Sequence, residues 1–350
     1  QFMGTQLAGK SIGIVGLGWW ACDVHIPNLL RVEGAEVAAL CSRSGEGIER
    51  GRAALEGRAE PATFRSYKDL LASDAAEAVV ICTPNFTHGP MALQALRAGK
   101  HVYVEKPLAT APEQCPPVVA EAEGRGLVVQ VGVELRCSDV ATTMRRLIDA
   151  GTVGDVALVH TNVWREWGAP GAWRADDERS GGQFHELGIH YIDLLGFLAG
   201  APPSWAVAAG GSAEGVRDFD HGFTTIGYEG GAVGSFGMCL FAAGGGQDIT
   251  LDAIGTEGRV RGEIMGGTVE LWHRGGEPED HSPERGDAEV FGFPGSLECA
   301  RGFVECVRTG ERPSADAAEG ERLCRVCEAA RLSAARGGER VAVDAIGGGD

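Results

Sequence analysis

No stretch of this 350-residue chain reaches the roughly 18 to 20 uninterrupted apolar residues that a membrane helix requires, so a membrane partner is not expected. Residues Gln1 to Thr5 lack the basic and apolar regions of a secretory signal and read as a processed or appended end. Positive charge is scarce: 31 Lys and Arg face 49 Asp and Glu, giving a net charge of −18. A field of that sign repels nucleic-acid phosphates and anionic lipid, which argues against nucleic acid as a partner. The 54 glycines fall at turns without a period, so neither a collagen-like tract nor a repeat array is indicated.

Paired cysteines are nearly absent as well. The ten cysteines are scattered, several inside apolar runs where a thiol acts as a small hydrophobe, and they read as reduced thiols of a cytoplasmic protein. Cys324-Arg325-Val326-Cys327 has a metal-like or redox-like spacing. It lies in a helical pattern with no second pair nearby, where residues three apart simply share a face, and no metal is expected. What remains is an ordinary globular composition, 44% apolar and 23% charged, on a chain long enough for two domains.

Short apolar runs at Ile12 to Val15, Val37 to Cys41, Ala78 to Cys82, His101 to Val104 and Leu127 to Val131 alternate with helical patterns. Such runs, buried on both faces, specify a doubly wound parallel sheet of Rossmann type over residues 1–135. The rhythm then changes. A helical pattern over Val140 to Ala150 precedes a strand candidate at Asp155 to Trp164 and a second helix at about Phe184 to Ala199. Gly-broken strand-length runs from Ala206 to Leu271 predict an open, mostly antiparallel sheet, and helices at about Leu297 to Thr309 and Asp316 to Arg336 close the chain. Residues 136–350 thus form an α+β domain whose last helices have the option of packing back on the first.

The first strand runs into Gly16-Leu17-Gly18-Trp19-Trp20-Ala21, a Gly-x-Gly-x-x-Ala turn at the mouth of a helix. Gly16 permits the tight turn, Gly18 lets backbone approach a pyrophosphate, and Ala21 allows close helix-to-strand packing. Gly-rich turns also arise by chance; the position after the first strand of an alternating pattern favours a dinucleotide, with Trp19 and Trp20 beside it. At the tip of the second strand an acid would select NAD and a basic residue NADP. Ser42 and Arg43 stand there, so NADP is favoured over NAD, unless Arg43 is a solvated loop residue.

Lys106 follows the strand His101-Val102-Tyr103-Val104-Glu105 and precedes Pro107. Ligands gather outside the carboxyl ends of parallel strands, which aims Lys106 at the nicotinamide, and a cis bond to Pro107 is expected. Downstream, Glu186 and His190 are four apart and His190 and Asp193 three apart, each pair sharing a helix face. An imidazole can shuttle a hydroxyl proton while a carboxylate orients it. A surface salt bridge is the plainer alternative. On a regular helix His185 would point about 140° from His190, making it structural or a substrate contact at the rim.

These motifs together resemble the glucose-fructose oxidoreductase and inositol dehydrogenase family, Gfo/Idh/MocA. The resemblance runs nearly end to end. It rests on the Gly16 turn with His25-Ile26-Pro27, on Cys82-Thr83-Pro84-Asn85-Phe86-Thr87-His88, and on Glu105-Lys106-Pro107. It continues through Val131-Gly132-Val133-Glu134-Leu135-Arg136, Trp173-Arg174, the Gly181-Gly182 helix and Gly302 to Gly310. The resemblance implies that Lys106 is the catalytic lysine, His190 the proton-transfer histidine, and Thr83, Pro84, Asn85 and His88 the loop along the nicotinamide ribose, with Glu105 beside the cofactor. Glu186 stands where the family more often has Asp. The resemblance also implies a homodimer or homotetramer through the outer face of the second sheet.

The expected activity is hydride transfer between a nicotinamide cofactor and a carbinol carbon of a sugar, nucleotide sugar or cyclitol. Arg136, Trp164, Trp167, Trp173, Arg174, His185 and Asp193 are the expected substrate contacts, because Trp faces suit sugar CH surfaces and Arg suits an anionic tail; each Trp taken singly is equally a packing residue. Two other readings stay open: transient oxidation by a tightly held cofactor, serving epimerisation, elimination or glycosidic cleavage, and a non-catalytic cofactor-sensing regulator.

Overall fold

A parallel strand buried on both faces needs apolar residues at every position, and Ala78–Ile81 is buried throughout. It is the fourth of six parallel strands, β1 (Lys10–Val15), β2 (Ala35–Cys41), β3 (Ala62–Phe64), β4 (Ala78–Ile81), β5 (His101–Glu105) and β6 (Val129–Gly132). Their order is β3-β2-β1-β4-β5-β6, so the chain reverses direction across the sheet between β1 and β4. The three-residue edge strand β3 has no apolar run to announce it and is the one strand of this sheet that the sequence pattern does not show. Helices enter behind serine caps: Ser44 accepts from the Gly47 amide and Ser66 from the Asp69 amide.

The computed structural model describes residues 10–246, 249–284 and 291–347; the reading of Gln1 to Thr5 lies outside them. The chain divides into two units. The first comprises Gln1–Leu108, Gln114–Gly132 and Val290–Gly320, and the second Ala109–Glu113, Val133–Glu289 and Glu321–Asp350. In the first, the helix Ser296–Thr309 packs on the sheet through a polar inset: Gln130 donates to the Cys299 carbonyl at 2.8 Å, and Tyr103 meets Phe303 edge-on.

The second unit is built on nine strands. They are β7 (Val156–Trp164), β8 (Pro203–Gly211), β9 (His221–Tyr228), β10 (Val233–Cys239), β11 (Thr250–Gly255), β12 (Gly258–Glu263), β13 (Thr268–His273), β14 (Glu279–Asp280) and β15 (Val341–Ala342). The order is β14-β13-β12-β11-β7-β10-β9-β8-β15, antiparallel except where β10 runs parallel to β7. In β7, Val159, Thr161 and Val163 are buried while His160, Asn162 and Trp164 lie on the opposite face. The helix Ile189–Ala199 covers the buried face, with Tyr191 stacked on Phe236 at 5.9 Å.

The expected helix at Phe184 to Ala199 is not uniform. It opens with a wide π turn, Phe184–Gly188, and becomes α-helical at Ile189. The wide turn removes the basis for placing His185 by α-helical rotation.

Candidate active site

Gly16 carries a φ of +86°. A Cβ there would lie 2.8 Å from the Thr83 methyl and 2.9 Å from the Cys82 carbonyl, so only glycine allows the turn out of β1 to pass so close to the end of β4. Two residues later the constraint reverses: nothing lies within 4 Å of a Cβ built on Gly18. The backbone is open there at the head of the helical segment that runs through Ala21–His25 and Ile26–Leu29. An open backbone at a helix entrance, at the reversal point of a parallel sheet, fits a dinucleotide pyrophosphate.

The tip of β2 holds more positive charge than the sequence indicates. Beside Ser42 and Arg43, the guanidinium of Arg65 donates from Nε to the Arg43 carbonyl at 3.1 Å. Arg65 follows β3, and because that strand is not evident in the sequence, nothing there points to it. Ser44 is occupied as a helix cap, whereas the Ser42 hydroxyl accepts from the Ser44 amide at 3.3 Å and stays at the surface.

At the far end of β5 the Lys106–Pro107 bond is cis, as the sequence predicts. Glu105 precedes it with its carboxylate turned inward. Oε1 accepts from the Trp20 indole at 2.9 Å and lies 2.7 Å from His25 Nε2. Gly132 leaves room for it, since a Cβ at that position would come within 2.9 Å of the same oxygen. Glu105 Oε1 and the Trp20 indole N–H, on two residues expected at the cofactor, therefore meet each other, and Trp19 is the exposed indole of the turn.

His88 also serves the protein. Its sealed ring lies 2.8 Å from the Pro107 carbonyl through Nδ1 and 2.7 Å from the Thr83 carbonyl through Nε2. Burial lowers its pKa, against the pull of both carbonyls and of Glu105. It braces the loop on which Thr83 shares a 2.7 Å hydrogen bond with Thr87 and on which Asn85 is buried.

In the second unit, Asp193 and Arg136 are both sealed in a bidentate ion pair, with Nε donating to Oδ2 at 2.9 Å. These two expected substrate contacts have each other as partners because neither charge is stable in the interior alone. His185 is fully buried, not at a rim, with Nδ1 2.8 Å from the Gly181 carbonyl. Glu186 accepts from Arg174 Nε at 2.8 Å, and that guanidinium stacks over Trp173 at 4.5 Å. Trp164 lies on the outward face of β7, edge-on to Phe223 at 6.3 Å, because strand alternation turns it away from buried Val163. The Trp167 ring lies 5.7 Å from the guanidinium of Arg165 and 5.7 Å from that of Arg217.

The carboxylate beside His190 is one the sequence did not single out. Glu134 Oε2 lies 3.8 Å from His190 Nδ1; 56 residues of chain separate the two, and only the fold brings them together. Cys324 and Cys327 donate to the carbonyls of Ala109 and Phe184, so their spacing serves helix packing. Among the described residues no group of three or more His, Cys, Asp or Glu is placed to hold a metal ion, and no helix is long and apolar enough to cross a membrane.

Residues 10–133 match the family model described as "Oxidoreductase family, NAD-binding Rossmann fold", and residues 141–261 match the "GFO/IDH/MocA C-terminal domain". The chain is 31% identical to scyllo-inositol 2-dehydrogenase (NAD(+)) of Bacillus subtilis, over 89% of each chain. It is 26% identical to D-xylose 1-dehydrogenase [NADP(+)] of Haloarcula marismortui, over 88% of this chain and 86% of that one. The structure of the WlbA dehydrogenase of Bordetella pertussis with NADH and UDP-GlcNAcA superimposes with a TM-score of 0.77 at 25% identity, covering 95% of this chain and 98% of that one.

Burial sets a stability signature on this site. His185 is pushed down to about 4 by burial, from an ordinary 6.5. As pH falls from about 6.5 to about 4, the unfolded chain binds a proton that the folded chain refuses, and stability is lost across that window. Urea unfolding of the wild type should weaken over this range, while His185→Gln should lose about 3 kcal/mol less over the same interval. Parallel pH curves for the two proteins would refute the assignment.

Proposed function

The chain belongs to the Gfo/Idh/MocA oxidoreductase family, and from that premise we propose that it moves a hydride between NADP or NAD and a carbinol or ketone carbon of a sugar, nucleotide sugar or cyclitol. The observation that carries this reading is the tie between the dinucleotide turn and the lysine strand: Trp20 and His25, on the helix that leaves the turn, both grip Glu105, the residue before Lys106. The lysine is thereby positioned by the same element that would receive the pyrophosphate. The named activities of the xylose and inositol dehydrogenases and the sugar nucleotide bound to the WlbA dehydrogenase support the substrate class.

When bound, the nicotinamide supplies the hydride acceptor or donor. Gly16 and Gly18 would admit its pyrophosphate, and the Thr83, Pro84 and Asn85 loop would border its ribose. His190 takes the substrate's hydroxyl proton in the oxidative direction and returns it in the reverse. The Lys106 ammonium stabilises the negative charge that grows on the oxygen as its proton leaves. At the tip of β2, Ser42, Arg43 and Arg65 offer one hydroxyl and two guanidiniums to a 2′-phosphate, which favours NADP.

The outward face of the second sheet supports association with a second copy. Leu158 and Ile254 are directly paired across β7 and β11 and exposed, and Trp164 and Phe223 extend the apolar surface toward the ends of β7 and β9. A cytoplasmic homodimer or homotetramer is the assembly this reading carries.

Four measurements test it. Nicotinamide absorbance should report turnover on at least one member of a panel of aldoses, UDP-sugars and inositols. Lys106→Met should reduce that turnover by roughly 100-fold or more while dinucleotide affinity is retained; a variant that still turns over removes Lys106 from the chemistry. The double variant Arg43→Ala, Arg65→Ala should raise KM for NADP about tenfold or more, one charge-assisted hydrogen bond's worth, and leave KM for NAD in place. Equal effects on both cofactors would reject the phosphate site. By light scattering, Phe223→Asp should shift the wild-type oligomer toward monomer, and an unchanged mass would place the interface elsewhere.

A further inference from the structure

His190 shares its own helix with two carboxylates, and each is held by a guanidinium. Glu186 accepts from Arg174, and Asp193 holds Arg136 in a buried bidentate pair. The carboxylate at 3.8 Å from His190 Nδ1 comes instead from Glu134, in the 3-10 turn Glu134–Cys137. Both side chains are largely withdrawn from solvent, His190 at 12% exposure and Glu134 at 4%.

The position is enforced, not incidental. Arg136 stands two residues after Glu134, and Asp193 three residues after His190. The Arg136–Asp193 clasp therefore fixes the same turn against the same helix, with Arg136 also lying over the Phe197 ring at 5.3 Å. With that register set, Glu134 faces His190. The separation is that of an ion pair, one that can close to hydrogen-bond length when the imidazole becomes cationic.

We propose that Glu134 is the positioning carboxylate of His190, an assignment that rests on the proton-transfer role given to His190 above. Glu134 favours the proton on Nδ1, which leaves Nε2 as the atom that accepts the substrate's hydroxyl proton. The O–H bond breaks, an Nε2–H bond forms, and the imidazolium's charge is balanced by Glu134, which itself stays ionised. Nε2 then gives the proton to solvent. Other charged or titratable groups around this helix are Arg136 from the turn, Glu186 with its partner Arg174, Asp193, Arg165, which interacts with the neighbouring Tyr191, and Arg145, paired with Asp149 and donating to the Phe197 and Leu198 carbonyls at the helix's far end. Glu134 stands at ion-pair distance from the His190 ring.

The test uses the full chain with Glu134→Gln, which keeps shape and removes charge. Three readouts are compared with wild type: kcat against pH, KM for the dinucleotide, and the titration of the His190 ring followed by NMR without substrate. We expect kcat to fall about tenfold or more, the acid limb of the pH profile and the His190 titration to move down together by about one pH unit, and KM for the dinucleotide to hold. Glu134→Asp should recover part of the shift. If His190→Asn abolishes turnover but Glu134→Gln leaves the acid limb and the ring titration where they are, the positioning role fails and the proposed function survives. If His190→Asn still turns over, the proton-transfer reading fails first and this inference falls with it.

Discussion

A guanidinium and a carboxylate removed from water depend on one another, because an uncompensated charge in the interior costs several kcal/mol. The Arg136–Asp193 pair imposes that dependence on the second unit. One end comes from the turn that follows β6, the other from the helix that covers the nine-stranded sheet. Neither segment can slide without exposing a charge to apolar surroundings. The pair thus converts the loose matter of how a turn lies on a helix into a fixed register, and the polar groups beside it inherit that register. A hydrophobic contact of equal area would tolerate displacement; two parallel hydrogen bonds to one carboxylate do not.

Glu105 plays the matching part in the first unit. It is a buried acid at the end of a strand, and its partners, Trp20 and His25, sit on the helix that begins at the glycine turn. Its neighbours leave it a tight space, since Gly132 must lack a Cβ for the carboxylate to fit. The consequence reaches beyond stability. In an acidic chain the long-range field disfavours an anionic ligand, and the open backbone at Gly18 and the guanidiniums at the tip of β2 are short-range features of the opposite sign. Keeping Glu105 turned inward on two donors also keeps one more negative charge from facing that region.

Much of this was legible in the sequence, for a definite reason. Strands buried on both faces, the glycine turn, Lys106 at a strand end and the cis bond to Pro107 are all set by local chemistry: apolar runs, the φ freedom of glycine, the amide of proline. The departures come where partner choice is decided by folding. Glu186 is placed correctly on the His190 helix, yet Arg174, twelve residues earlier, takes its carboxylate. Glu134 lies within a motif visible in the sequence, but its neighbour is 56 residues away. Arg65 was hidden because its strand is three residues long and has no apolar pattern. The π turn at Phe184–Gly188 likewise leaves no mark on a periodicity that continues as an ordinary helix beyond it.

The histidines show how burial selects among chemically identical side chains. His88 is sealed between two backbone carbonyls, and burial dominates in lowering its pKa. His185 is sealed as well and pushed down to about 4. A ring that resists protonation until well below neutrality is a poor general base near pH 7, because the imidazolium it must form is the species its site penalises. His190 differs in two respects that act together: it retains some exposure, and a carboxylate stands at 3.8 Å from one of its nitrogens. A partly exposed ring beside a carboxylate is the arrangement in which an imidazolium is least penalised.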